Sequence, residues 1–184
     1  MNNTRRGLLM GLGATGLLAA CGNGVGSSGA ATIDARVDAT LSQMFAQYPG
    51  TRNLQAKSSG MLVMPLVTEA GLGLGGAYGR GALRVNGATV DYYSVVKGSG
   101  GLQIGAQQYA HVLFFMTEES LMNFRRSPGW AAGANIEYAI PEGGETLAAE
   151  TTTSLAPIIA VIFGKSGLHL GATLEGVKYT RIIP

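Results

Sequence analysis

The sequence predicts an α+β domain built on a largely antiparallel, strongly bent β-sheet, barrel- or sandwich-like, with an N-terminal amphipathic helix and a second short helix. Three observations carry this. About seven segments rich in β-branched and aromatic residues are separated by short turns of Gly, Pro and Asn. One segment, from Ile33 to Tyr48, instead repeats its apolar residues at spacings of three and four, and a second carries the cap and terminal charges of a helix. Finally, "GLGLGGAYGRG" (Gly71–Gly81) alternates so that one strand face holds Gly71, Gly73, Gly75, Ala77, Gly79 and Gly81, with nothing larger than a methyl group. Such a face calls for a close-packed neighbouring layer or a sharp bend of the sheet. The expected neighbour is the first helix or a layer of Tyr, Phe and Trp130 side chains; an acyl-chain slot is the alternative.

Residues 1–21, "MNNTRRGLLMGLGATGLLAAC", come first. Arg5 and Arg6 precede a 14-residue, mostly apolar run that is too short to span a bilayer and fits the core of a secretory signal, with "TRRGLL" similar to a twin-arginine export signal. "LAAC" (Leu18–Cys21) resembles a bacterial lipobox, in which Cys21 receives a diacylglyceryl group. Cys21 is the sole cysteine, so no intrachain disulfide can form. Two or three acyl chains at about 0.8 kcal/mol per buried methylene hold a protein firmly on a membrane. Residue 22 is Gly rather than the Asp associated with inner-membrane retention, which favours an outer-membrane address facing the periplasm. The expected organisation is a lipoprotein signal peptide at 1–20, a flexible tether at 21–31 and one folded domain at 32–184.

Thr32 is the expected cap of the first helix, with Asp34 in its first turn and Ile33, Val37, Leu41, Met44, Phe45 and Tyr48 as its apolar stripe. Pro49-Gly50 ends it, and a short helical turn covers 51–57. A buried strand "MLVMPLV" and the bare-faced strand follow. Asn86-Gly87 is a hairpin turn leading to "ATVDYYSVV", and Lys97–Gly101 reads as another turn. "LQIGAQQYAHVLFFM" is a long strand. Thr117 caps the second, short helix, which has Glu118 and Glu119 in its first turn and Arg125 and Arg126 in its last, matching the helix dipole at both ends. "WAAGANIEYAI" reads as a strand. The chain closes on a strand pair, "PIIAVIF" and "LHLGATLEGVKYTRII", with Gly176 as a bulge. Four segments starting at Gly71, Gly101, Gly129 and Gly167 share a Gly–apolar opening and a small residue pair at positions five and six. This fits either an internal duplication or shared strand-entry chemistry.

Composition removes whole classes of function. Charged residues make up only 13% of the chain, about half the usual share, and glycine supplies 29 of 184 residues. With Arg5 and Arg6 set aside, the basic and acidic residues balance, so no nucleic-acid partner is implied.

The segments "SSGMLVMPLVTEAGLGLGGAYGRGALRVNG", "YYS", "GLQIGAQQYAHVLFFM", "GW" and "TTTSLAPIIAVIFGKSGLHLGATLEGVKYTRI" closely resemble the SYLF domain, also called the Ysc84 actin-binding domain, and within it the bacterial lipoprotein branch. The resemblance covers about residues 35–183. It implies binding of membrane lipids, since eukaryotic members bind phosphoinositides. The actin binding of some members is not carried over to a bacterial envelope, and the amphipathic membrane helix of others has no counterpart here.

Other motifs fail on context. Gly71-x-Gly73-x-x-Gly76 fits a dinucleotide fingerprint, but a strand follows where a helix must hold the pyrophosphate. Gly164-Lys165-Ser166 is similar to a phosphate loop whose first glycine would fall at Ile159. His111 and His169 sit on the more polar faces of their strands, as surface or half-buried residues, with no second ligand near. No catalytic or metal-ligating constellation can be assembled, so neither an enzyme nor a cofactor is implied. The candidate lipid-headgroup residues are Lys97 and Lys165, in glycine-flanked turns, with Lys57, Arg80 and Lys178. The expected function is non-catalytic binding of anionic phospholipid by an envelope lipoprotein, the alternative being a structural or protein-interaction domain of the envelope.

Overall fold

The computed structural model describes residues 27–133, 136–139, 156–164, 174 and 176–184. Helix α1 (Gly29–Gln47) and helix α2 (Thr51–Lys57) precede two very long strands, β1 (Gly60–Val85) and β2 (Ala88–Phe115). Helix α3 (Glu118–Arg126), β3 (Trp130–Ala131), β4 (Ile136–Ala139), β5 (Ile158–Gly164) and β6 (Val177–Ile182) follow. The class is α+β, with the sheet strongly curled into a half-barrel, as the sequence predicts.

β1 and β2 form one antiparallel ribbon joined at Asn86-Gly87, where φ is 51° and 80°, as the tight turn requires. The other edge of β2 is shared. Its first part (Tyr92–Lys97) pairs with β6, and its last part (Tyr109–Phe115) pairs with β5. β3 extends β6, and β4 lies parallel to β5. The ribbon therefore belongs to two leaves. The first leaf is built on the start of β1 and the end of β2, and the second on the end of β1 and the start of β2.

Several expected breaks are absent, for one reason. "MLVMPLV" and the glycine strand are one strand, because Pro65 falls in an irregularity between Met64 and Val67, where a missing ladder donor is tolerated. Lys97–Gly101 is no turn but the interior of β2. The glycines mark the corner of the ribbon: Gly71 pairs with Gly105, Gly76 with Gly98 and Leu74 with Gly100, and the register shifts between Leu72 and Leu74. Gly71 and Gly101 thus lie inside continuous strands rather than opening them, and Gly167 lies outside the described residues. β5 and β6 do not pair with each other, because β2 separates them, and residues 168–173 and 175 of the expected last strand lie outside the described residues. "WAAGANIEYAI" is divided between β3 and β4, with Ala134 and Asn135 outside the described residues, and Gly176 (φ 73°) is a turn before β6 rather than a bulge.

At Gly79 and Gly81 the bare face is filled by the strand's own beginning. A Cβ at Gly81 would overlap the main-chain carbonyl of Val63, and one at Gly79 would lie 2.6 Å from the carbonyl oxygen of Leu66. Gly60, at the other end of this approach, lies close to the Arg84 carbonyl. The two halves of β1 run past each other, and only glycine permits that distance. Tight internal packing is therefore as expected, but its partner is neither α1 nor an aromatic layer. Between the leaves lies the larger core. It holds Leu62, Met64, Ala77 and Leu83 of β1, Leu113 and Phe115 of β2, Ile158, Ala160 and Ile162 of β5, and Tyr179 of β6. α3 closes its end through Leu121 and Phe124, the latter edge-to-face with Trp130.

α1 packs on the outside, across the line where the halves of β1 meet. Ile33, Val37 and Met44 share a second core with Leu54 of α2, Met61, Val63, Ala82 and Phe114. The helix starts at Gly29, three residues before the expected Thr32 cap. Asp34 instead accepts hydrogen bonds from Thr89 Oγ1 and Tyr92 Oη, both at 2.7 Å, and Arg84 reaches Asp38 at 2.6 Å. For α3 the capping reading holds: Thr117 Oγ1 accepts from the Ser120 amide at 3.1 Å.

Candidate functional site: an uncovered basic and aromatic sheet face

Alternation along β1 fixes which side chains leave the core. With Gly79 and Gly81 facing inward, Tyr78, Arg80 and Ala82 face out. Pairing then aligns three rows across the second leaf: Ala82–Tyr92–Ile182, Arg80–Ser94–Thr180 and Tyr78–Val96–Lys178. α1 covers the first row, where Ala82 is fully buried and Tyr92 is bonded to Asp34. It leaves the other two uncovered. Tyr78 is 55% exposed and Val96 52%, and they are direct cross-strand partners. Lys178 flanks them, exposed, with its stem lying against Gly129. This aromatic and β-branched pair supports the sheet locally and leaves an apolar patch in water beside two basic residues.

The basic residues named from sequence separate into groups. Arg80 and Lys178 share this face. Lys97 does not: its partners Ala77 and Val177 are core residues, so it lies on the inward-facing side of β2 near the corner. Lys57 is exposed at the C-terminus of α2. Lys165, His169 and Cys21, with the leader before it, lie outside the described residues.

The interior offers a different chemistry. His111 is wholly buried rather than on a polar surface face, because its inward position between Met64 and Ile162 points it at the second leaf. Its Nε2 is 2.7 Å from Tyr179 Oη, while Nδ1 has no partner among the described residues. Burial pushes its pKa down to about 3, so the ring stays neutral at physiological pH. Burial, aided by Glu69, pushes the Tyr109 phenol up to about 12. His111, Tyr109 and Tyr179 are all closed off from solvent, so they serve the core.

The surface also carries shallow clefts. One of about 350 Å³ lies between α3 and the β3–β5 region around Asn123 and Trp130. Another, of about 390 Å³, lies between α2 and the hairpin tip, around Arg52, Ser58 and Asn86. Both mix polar and apolar lining, unlike a slot for an acyl chain.

What sequence reasoning missed is the pairing of Tyr78 with Val96. The signal was present, since both are apolar residues on the expected outer phase of the hairpin. Counting back from Asn86-Gly87 places them near one another only once the irregularity between Leu83 and Arg84 is known.

Residues 96–181 are similar to the family model Ysc84, described as Las17-binding protein actin regulator. The matched stretch holds Val96, Lys97 and Lys178 but not Tyr78 or Arg80, and is narrower than the resemblance over residues 35–183. No curated protein matches the chain.

Proposed function

Since the chain belongs to the Ysc84 (SYLF) family through residues 96–181, we propose that it is a non-catalytic lipid-binding domain of the bacterial envelope, anchored through Cys21 and meeting anionic phospholipid with the uncovered face of its second leaf. The observation that carries this reading is the row Tyr78–Val96–Lys178 with Arg80 beside it. Aromatic and aliphatic groups enter the interfacial zone of a bilayer. Lysine and arginine beside them meet phosphates, each contributing on the order of 1 kcal/mol near an anionic surface. The glycine face supports surface contact over acyl-chain capture, because main chain already fills it at Gly79 and Gly81.

The test is co-sedimentation of the Cys21→Ala chain, lacking its leader, with phosphatidylglycerol vesicles at low ionic strength. Retention that falls as salt rises is the expected result. A chain left in the supernatant at every salt concentration overturns the lipid reading and leaves the same exposed row as a protein-docking surface.

A further inference from the structure

We infer that the short tether holds this sheet face flat on the bilayer, so that the acyl anchor and the Tyr78–Val96–Lys178 row engage one and the same lipid surface. The inference rests on the lipid-anchored reading above and adds to it a fixed orientation of the domain.

The two ends of the domain meet on one side of the sheet. Ser27 Oγ donates to the carbonyl oxygen of Pro184 at 3.0 Å, and Gly29 lies against the main chain of Pro184. Pro184 is two residues past Ile182, which stands in the row that α1 covers. The chain therefore enters the domain on the outer side of the second leaf, at the end that α1 covers, with the uncovered rows following along β6. From Pro184 back to Lys178 is about 20 Å of extended chain.

The tether is of matching length. Six residue steps separate Cys21 from Ser27, "CGNGVGS", with a maximum reach of about 20 Å and a random-coil span near ~13 Å. A bilayer that holds Cys21 is thus at most about 40 Å from Lys178, and the random-coil span of the tether brings the two within reach of one surface. Ile183, 72% exposed at the same end, adds a further apolar group.

Charge and concentration select the occupant. Arg80 and Lys178 complement anionic headgroups, and a neutral or basic surface offers them nothing. A connection this short raises the effective concentration of the face at the membrane to the millimolar range. A face of modest affinity, which holds the untethered domain at low ionic strength, is then sufficient to orient the anchored one at higher salt. The occupant is an anionic phospholipid surface, and the anchor provides residence while the face provides orientation.

Amine footprinting tests this. The full chain bearing its anchor, added to preformed vesicles of phosphatidylethanolamine and phosphatidylglycerol, is acetylated alongside the Cys21→Ala chain in buffer. Lys178 is expected to react at least about fivefold more slowly on the vesicles, while Lys57 at the end of α2 keeps its rate. Hydroxyl-radical oxidation of Tyr78 is expected to fall in parallel. Unchanged reactivity of Lys178 and Tyr78, or protection of Lys57 in their place, overturns the orientation. Vesicle retention of the untethered chain reports on lipid affinity alone, so a failed footprint with retained binding condemns only the orientation.

Discussion

Gly81 lies directly over the main-chain carbonyl of Val63, a residue of the same strand, and the half-barrel closes at this contact. A 26-residue strand bent so that its second half passes over its first sets Gly81 and Gly79 against main chain and against the buried Met64 and Val67 side chains. What it gains is a seam that α1 can cover with Ile33, Val37 and Met44. The contact predicts a sharp positional dependence of glycine substitutions. Gly81→Ala is expected to cost about 3 kcal/mol or more, since its Cβ would strike backbone that cannot rotate away, and Gly79→Ala about 1–3 kcal/mol. Gly98→Ala, with nothing within 4 Å of its added methyl, is expected to change stability by less than about 1 kcal/mol. Urea midpoints of the three variants check the order, and equal values would show that no such seam closes the half-barrel.

His111 and Tyr179 predict an acid-labile core. The folded-state pKa of His111, about 3, lies below the ordinary value of 6.5, so the unfolded chain binds the extra proton first. Its contribution is therefore complete above pH 6.5 and is lost progressively as pH falls towards 3. The loss is on the order of 2 kcal/mol by about pH 5. Denaturant unfolding at about pH 8 and about pH 5 measures it, and His111→Leu is expected to flatten that part of the profile. Tyr179→Phe, which strips Nε2 of its partner, is expected to cost about 1–3 kcal/mol.

The two aspartates of α1 differ in weight. Asp34 accepts from Thr89 and Tyr92 in a partly buried site, whereas Asp38, 66% exposed, meets Arg84. Asp34→Ala is expected to cost about 1–3 kcal/mol and to speed amide exchange through Gly29–Gln47. Asp38→Ala is expected to cost less than about 1 kcal/mol and to depend on salt. Hydrogen exchange of α1 in both variants distinguishes them.

Local chemistry was legible in the sequence and long-range chemistry was not. Asn86-Gly87, the Thr117 cap and the end of α1 at Pro49-Gly50 each rest on neighbours a few residues apart, and each appears where the residues require it. Lys97–Gly101 misled because glycine serves a turn and a sheet corner equally well, and only the register with Leu74–Ala77 tells them apart. His111 read as a polar-face residue because its phenol partner is 68 positions away. The Thr32 cap failed where a distant contact sits: the helix starts at Gly29, which lies against Pro184 at the far end of the chain. Of the candidate headgroup residues, Arg80 and Lys178 were found individually from their charge. Their common face follows from β6 pairing with the start of β2, which no local pattern specifies.

The most direct measurement is the salt-dependent affinity of the Cys21→Ala chain for phosphatidylglycerol vesicles, compared with the same chain carrying Arg80→Glu and Lys178→Glu. The double variant is predicted to bind at least about tenfold more weakly at low salt, with a shallower salt dependence, at a temperature where circular dichroism shows both chains folded. Equal affinity of the two chains would contradict the assignment of this face to lipid.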